Sequence, residues 1–138
     1  MKLFYFDLNI LDETDRYVVG HSFEDAYLID KLTKRELLHD DFYGDPKCGL
    51  IDRNSQWAII AGEHITIWKN SKVTRIEKEE VRWVHAIRAI GENIVEMLID
   101  PWSVKSSIWI LDLNSFALMK IRDFEDYRES ESTDDVVW

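Results

Sequence analysis

Apolar residues along this chain come in short runs broken by Asn, Asp, Gly and Ser. Inside most runs the period is two, which predicts strands rather than helices. The clearest case is Ile108 to Phe124, IWILDLNSFALMKIRDF. Its pattern predicts two strands joined by a reversal at Asn114-Ser115, because Asn tolerates left-handed backbone and Ser bonds its neighbouring backbone. An earlier stretch, Ala26 to Phe42, lies over it without a gap. Tyr27 falls on Trp109, Leu28 on Ile110, Ile29 on Leu111, Asp30 on Asp112, Leu37 on Met119, Asp41 on Asp123 and Phe42 on Phe124. His64 to Ile76 is a third copy, with Asn70-Ser71 at the same point.

The three copies start 38 residues (26 to 64) and 44 residues (64 to 108) apart, the length of a four-stranded β-meander such as a propeller blade. The predicted fold class is therefore all-β: three antiparallel β-meanders, similar to propeller-blade repeats, forming a small barrel, a sandwich or a partial propeller. Three blades fall short of the about four to eight of a closed ring, which two chains together would complete, so a homodimer is admitted.

In the first unit, Lys2 to Leu11 predicts a strand with Phe4, Phe6, Leu8 and Ile10 on its buried side, followed by a polar turn at Asp12–Asp15. Tyr17 to Gly20 restarts as a strand. Ser22 as N-cap and Asp25 at the capping-box position admit a competing helix over Phe23–His39, and the overlay decides for strands. In the second unit, Cys48–Asp52, Trp57–Ala61, Ile65–Trp68 and Val73–Ile76 predict four strands, and Glu77–Glu80 a charged connection with room for a helical turn. The order GLID, turn, WAI resembles short β repeats of the WG type, without the Gly beside the Trp. In the third unit Val81, Trp83, His85, Ile87 and Ala89 share the face expected to be buried. Domain boundaries follow: one domain over 1–124 and an acidic tail over 125–138, whose apolar end, Val136-Val137-Trp138, is expected to dock back on the domain.

Composition changes the picture in one respect. With 27 acidic against 17 basic side chains, the net charge is −10 and the isoelectric point about 4.8. Such a field repels nucleic acid and anionic lipid and attracts basic proteins. No apolar run approaches the ~18 residues of a membrane helix, and a single cysteine, Cys48, suits a reducing compartment. The expected location is cytoplasmic, with neither nucleic acid nor membrane as partner. Cys48 itself reads as a small buried hydrophobe.

Catalytic chemistry finds little support. His21, His39, His64 and His85 show no zinc spacing, so no metal is expected, and His85 reads as a hydrogen-bonded core residue. His39-Asp40 and Glu63-His64 are pairs only by adjacency, which sends strand side chains to opposite faces. Gly20-His21-Ser22-Phe23-Glu24 lacks the final Gly of a nucleophile elbow. The glycines are scattered singly, so there is no phosphate loop. The basic residues Lys69, Lys72, Arg75 and Lys78 stand in a field too acidic to hold nucleic acid. The chain is thus expected not to be an enzyme and to need no cofactor.

Small size, acidity, a lone cysteine, many aromatics and absent motifs together resemble the immunity proteins that protect bacteria from polymorphic and contact-dependent growth-inhibition toxins. That resemblance implies stoichiometric binding to a cognate basic toxin domain, often a nuclease, whose cleft the inhibitor covers. A carboxylate-lined surface imitates the phosphate backbone such a cleft holds. The candidate contact residues are Asp40, Asp41 and Asp45 in the first loop, with Asp123, Glu125, Asp126 and Glu129 after the last strand. Tyr43, Trp102 and Tyr127 are the expected exposed aromatic anchors. Asp41 and Asp123 are expected on one rim. The alternative reading is a small β-barrel holding an apolar ligand.

Overall fold

A computed structural model describes residues 8–128, 130–131 and 136–138. Among them, twelve strands form three four-stranded antiparallel meanders, each hydrogen-bonded in sequence order. The first sheet holds β1 (Asn9–Glu13), β2 (Tyr17–Ser22), β3 (Asp25–Asp30) and β4 (Arg35–Asp41). The second holds β5 (Cys48–Ile51), β6 (Trp57–Ala61), β7 (Ile65–Lys69) and β8 (Lys72–Ile76). The third holds β9 (Val84–Gly91), β10 (Ile94–Ile99), β11 (Ser107–Asp112) and β12 (Leu118–Asp123). The only helical turn among the described residues is Glu79–Val81, in the charged connection. Phe23–His39 is strand, so the competing helix does not form.

The repeat is visible in its turns. Asp30 Oδ1 accepts from the backbone N–H of Leu32 and Thr33 (2.9 and 3.3 Å), and Asp112 Oδ1 from those of Asn114 and Ser115 (2.8 and 3.4 Å). Each turn then closes on a left-handed residue, Lys34 (φ 63°) and Phe116 (φ 61°), whose N–H returns to the carbonyl of that same Asp. In the middle sheet Asn70 and Ser71 (φ 53° and 60°) form a two-residue hairpin turn with both central residues left-handed.

The middle sheet is covered on both faces, which is why its strand β6 is apolar throughout. Trp57, Ile59 and Ala61 face the third sheet, packing with Val84, Val95, Met97, Ile99 and Leu111. Ala58 and Ile60 face the first, with Tyr17, Val19, Leu28 and Phe42. The first strands of the sheets, β1, β5 and β9, run side by side along the inside of the arc. Gly49 permits the closest approach: a Cβ there would stand 2.9 Å from Val19 Cγ2 and 3.0 Å from Leu11 Cβ. Asp12 fastens the same seam, accepting from Ile51 N–H (2.8 Å) and pairing with Arg53 (2.9 Å).

Three expectations are corrected. β1 extends to Glu13 and leaves Ile10 47% exposed, with the register slipping at Leu11, which packs on the core between the first two sheets; Phe4 and Phe6 lie outside the described residues. The face Val81, Trp83, His85, Ile87 and Ala89 does not hold together. Trp83 is left-handed (φ 64°), and the register slips between Leu98↔Ala86 and Ile99↔Val84, leaving His85 as a bulge. The bulge reverses parity, so Val84 joins Ile87 in the core while Trp83 turns outward at 41% exposure. The strands do not close into a barrel.

The chain end docks. Val136 and Trp138 pack with Tyr127 against Leu98, Ile108 and Phe124 on the outer face of the third sheet. Arg88 lies 3.9 Å from the Trp138 ring centroid and donates to its carbonyl at 2.7 Å.

Candidate interaction face

Because every sheet is an even-numbered meander, the β2–β3, β6–β7 and β10–β11 turns and both inter-sheet connections emerge on one rim. Hydrogen bonds join these segments: Lys47 N–H to Ala61 O (2.8 Å), Val84 N–H to Gly62 O (2.8 Å) and Asp100 N–H to Trp83 O (2.9 Å). All the candidate contact residues except Glu129, which lies outside the described residues, fall on this rim or on the segment leaving β12.

Exposed carboxylates gather there: Glu24, Asp41, Asp45, Glu77, Glu79, Glu80, Asp123, Glu125 and Asp126. The exposed bases of the same loops are Lys47, Lys78, Arg82 and Lys105. On the opposite rim only part of the acids are consumed, and the exposed ones, Glu13, Asp15, Glu36 and Glu92, stand beside as many exposed bases. Asp30, Asp52 and Asp112 tie turns and Asp12 binds Arg53, while Arg16, Lys34, Arg53 and Lys72 stand exposed. The net negative charge of the chain is thereby displayed toward one side.

The structure sorts the predicted residues. Asp41 and Asp45 are exposed, and Tyr43 is 75% exposed. Asp123 pairs with Lys120 (2.6 Å), whose hydrogen bond and charge hold its carboxyl below the usual range, and Glu125 pairs with Arg128 (3.4 Å). Asp126 is exposed. Asp40 is withdrawn into the seam between the first two sheets. It accepts from Thr66 Oγ1 (2.5 Å) and His64 Nε2 (2.9 Å) and meets Arg75 at 3.5 Å. Burial by itself would raise the Asp40 pKa; the Thr66 and His64 hydrogen bonds and the Arg75 charge outweigh it and lower it. Phe42 stacks on His64 at 3.9 Å, and Glu63 Oε2 lies 3.5 Å from His64 Nδ1, so that adjacent pair sits on one side of its turn.

Two anchors are corrected. Tyr127 is half-buried, stacked on Phe124 at 5.9 Å, and its hydroxyl accepts from Val137 N–H (3.0 Å), so it holds the tail. Trp102 is half-buried against the His85 ring (4.9 Å, 84°), its indole N–H buried without a partner among the described residues. In their place the rim exposes Phe23 (82%) and Trp83. Glu24 draws the two loops together, its Oε2 accepting from Gly44 N–H (2.5 Å), and Tyr43 lies 6.2 Å from Trp83. The isolated left-handed Trp83 and the His85 bulge left no mark on the sequence pattern, so the strand period concealed Trp83.

Asp25, His39 and Asp41 bring ligand atoms within 4.8 Å of one another, a grouping made across β3 and β4. His39 Nε2 meets Asp25 Oδ1 at 3.1 Å and its ring stacks on Tyr27 at 4.8 Å. This hydrogen bond lowers the Asp25 pKa, and sharing a hydrogen bond with Asp25 raises that of Asp41. The cluster is solvated, and no second feature of it points to a metal.

No protein-family model and no curated protein matches this chain. Among solved structures it is similar to the WD40 β-propeller domain of Doa1, at TM-score 0.59 and 11% identity over 83% of this chain and 39% of that one. It is also similar to Kuenenia stuttgartiensis hydrazine synthase, at TM-score 0.53 and 14% identity over 77% of this chain and 34% of that one. The chain thus spans well under half of either structure, and at these identities the likeness bears on the fold alone: three four-stranded meanders similar to the blades of a β-propeller. No helix among the described residues is long and apolar enough to cross a membrane.

Proposed function

We propose that this chain is an acidic protein-binding module that covers a cationic cleft on a toxin domain, in the manner of an immunity protein. The observation that carries the reading is the one-sided display of charge: exposed acids, among them Asp41, Asp45, Glu80 and Asp126, outnumber the exposed bases of one rim, whereas on the other Glu13, Asp15, Glu36 and Glu92 are matched by Arg16, Lys34, Arg53 and Lys72. A surface of that kind steers a basic partner into encounter, and exposed Phe23, Tyr43 and Trp83 slow its departure. Nuclease clefts are cationic because they hold phosphates, which makes a basic nuclease domain the fitting partner. The alternative of an apolar ligand inside a barrel lacks the barrel.

The test is the salt dependence of association with the basic domain recovered from the native cell. The Debye length falls from ~10 Å at 0.1 M to ~3 Å at 1 M ionic strength, so the association rate should drop steeply over that range. Asp45→Lys combined with Asp126→Lys should lower it further at low salt while leaving thermal stability unchanged. An association rate indifferent to both changes refutes the proposal.

A further inference from the structure

The acidic rim contains a built pocket as well as a flat charged surface. Trp83, Val84, His85, Asp100, Pro101 and Trp102, with Lys47, line a half-open hollow of about 160 Å³. A second hollow of about 310 Å³ adjoins it, sharing Trp83 and Asp100 and bounded by Glu79 and Glu80. The walls are rigid for visible reasons. Trp102 is braced edge-on by His85, and Trp83 is flanked by Tyr43 and by Gly44, whose missing Cβ would stand 3.7 Å from the ring. Trp83 and Asp100 both hold left-handed backbone (φ 64° and 36°) and are tied by the Asp100 N–H to Trp83 O bond across the pocket mouth. For residues other than glycine such backbone is costly and persists only where the surroundings enforce it.

Resting on the reading of this rim as a contact surface for a basic protein, we propose that the pocket receives one arginine or lysine side chain of that partner. The aliphatic stem would lie on Pro101 and Trp102, and the cation would stand over the Trp83 face within reach of the Asp100 carboxylate. Aromatic faces attract cations, more strongly where water is excluded. Glu79 and Glu80 line the adjoining hollow rather than the pocket, beside Arg82 and Lys105, which pair with Glu79; in the pocket itself Lys47 opposes Asp100. That opposition makes the occupant's charge testable: a cation gains when Lys47 is removed, whereas a carboxylate or phosphate loses.

The experiment titrates the whole chain with N-acetyl-arginine amide and with N-acetyl-citrulline amide, which has nearly the same shape and no charge, following the indole N–H signals of Trp83 and Trp102 by NMR. Saturating shifts of both signals with arginine, at least fivefold weaker with citrulline, are expected. Asp100→Asn, which keeps a residue tolerant of left-handed backbone, and Trp83→Ala should each weaken arginine binding by about fivefold or more, the span of a partly desolvated cation–π contact. Lys47→Ala should strengthen it about threefold. Equal response to arginine and citrulline, absence of saturation, or weaker arginine binding in Lys47→Ala overturns the assignment. The two readings fail separately. A silent titration beside a salt-steered partner removes the pocket alone, and an intact titration beside a salt-indifferent partner removes the contact-surface reading alone.

Discussion

Asp40 offers the sharpest test of the division between residues that build the arc and residues that face a partner. Its carboxylate serves two donors buried in the seam, Thr66 Oγ1 and His64 Nε2, and a half-exposed third, Arg75. Since a carboxylate only accepts, Nε2 is the donor of His64, which leaves Nδ1 to accept from Arg75 at 3.3 Å. Asp40→Ala strands the Thr66 hydroxyl, at about 1–3 kcal/mol, and leaves His64 Nε2 only Thr66 Oγ1, 3.0 Å away, as a partner. The exposed Arg75 arm adds at most about 1 kcal/mol. The expected loss is about 2 kcal/mol at neutral pH, and with a urea m-value of about 2 kcal/mol/M the unfolding midpoint falls by about 1 M. Tryptophan fluorescence reports it, because Trp57 is buried in the adjoining core. The pH dependence carries a sign. The folded pKa of Asp40 is lowered, so its contribution is complete above the ordinary carboxylate value, ~3.9, and is lost as pH falls through the folded value. The gap between wild type and variant should therefore close in acid. Asp41→Asn, one residue away and exposed, should leave the midpoint in place. A midpoint for Asp40→Ala within about 0.2 M of wild type, or an undiminished gap at pH 3, would refute this account of the seam.

Two further outcomes follow from single residues. Burial pushes the half-buried Cys48 thiol up to about 12, so at pH 8 the native chain should react with iodoacetamide far more slowly than the urea-unfolded chain, which mass spectrometry at increasing urea measures. Ser71→Gly should raise the melting temperature by about 2 °C, because Ser71 holds φ 60° in a turn where left-handed backbone costs other residues about 1 kcal/mol and glycine little; a lower melting temperature in calorimetry would contradict it.

Much of the architecture was legible because turns are local. Asp30 and Asp112 sit at equivalent positions in two stretches that align without a gap, and each uses its own carboxylate to bind the next backbone groups, so the duplication shows in the residues themselves. Phe42 and Phe124 likewise close their hairpins, with N–H bonds to Glu24 and Ser106. The candidate residues were legible only as a set. Their loops share a rim because alternating strands place them there, yet the sequence did not separate Asp40, half-buried in a seam against His64 24 residues away, from its exposed neighbour Asp41. Tyr127 and Trp102 were misjudged as exposed because loop position says nothing of what packs over a loop.

By itself, then, the sequence determined the strands, their reversals, the meander count and the sign of the net charge, all of which depend on residues close in the chain or on simple sums. Only the tertiary structure decided which carboxylates remain in solvent, that Trp83 turns outward, and that Trp138 closes on Arg88. Those outcomes rest on contacts between sheets, and a single bulge at His85 brings Val84 onto the Ile87 side of its strand without altering the local pattern.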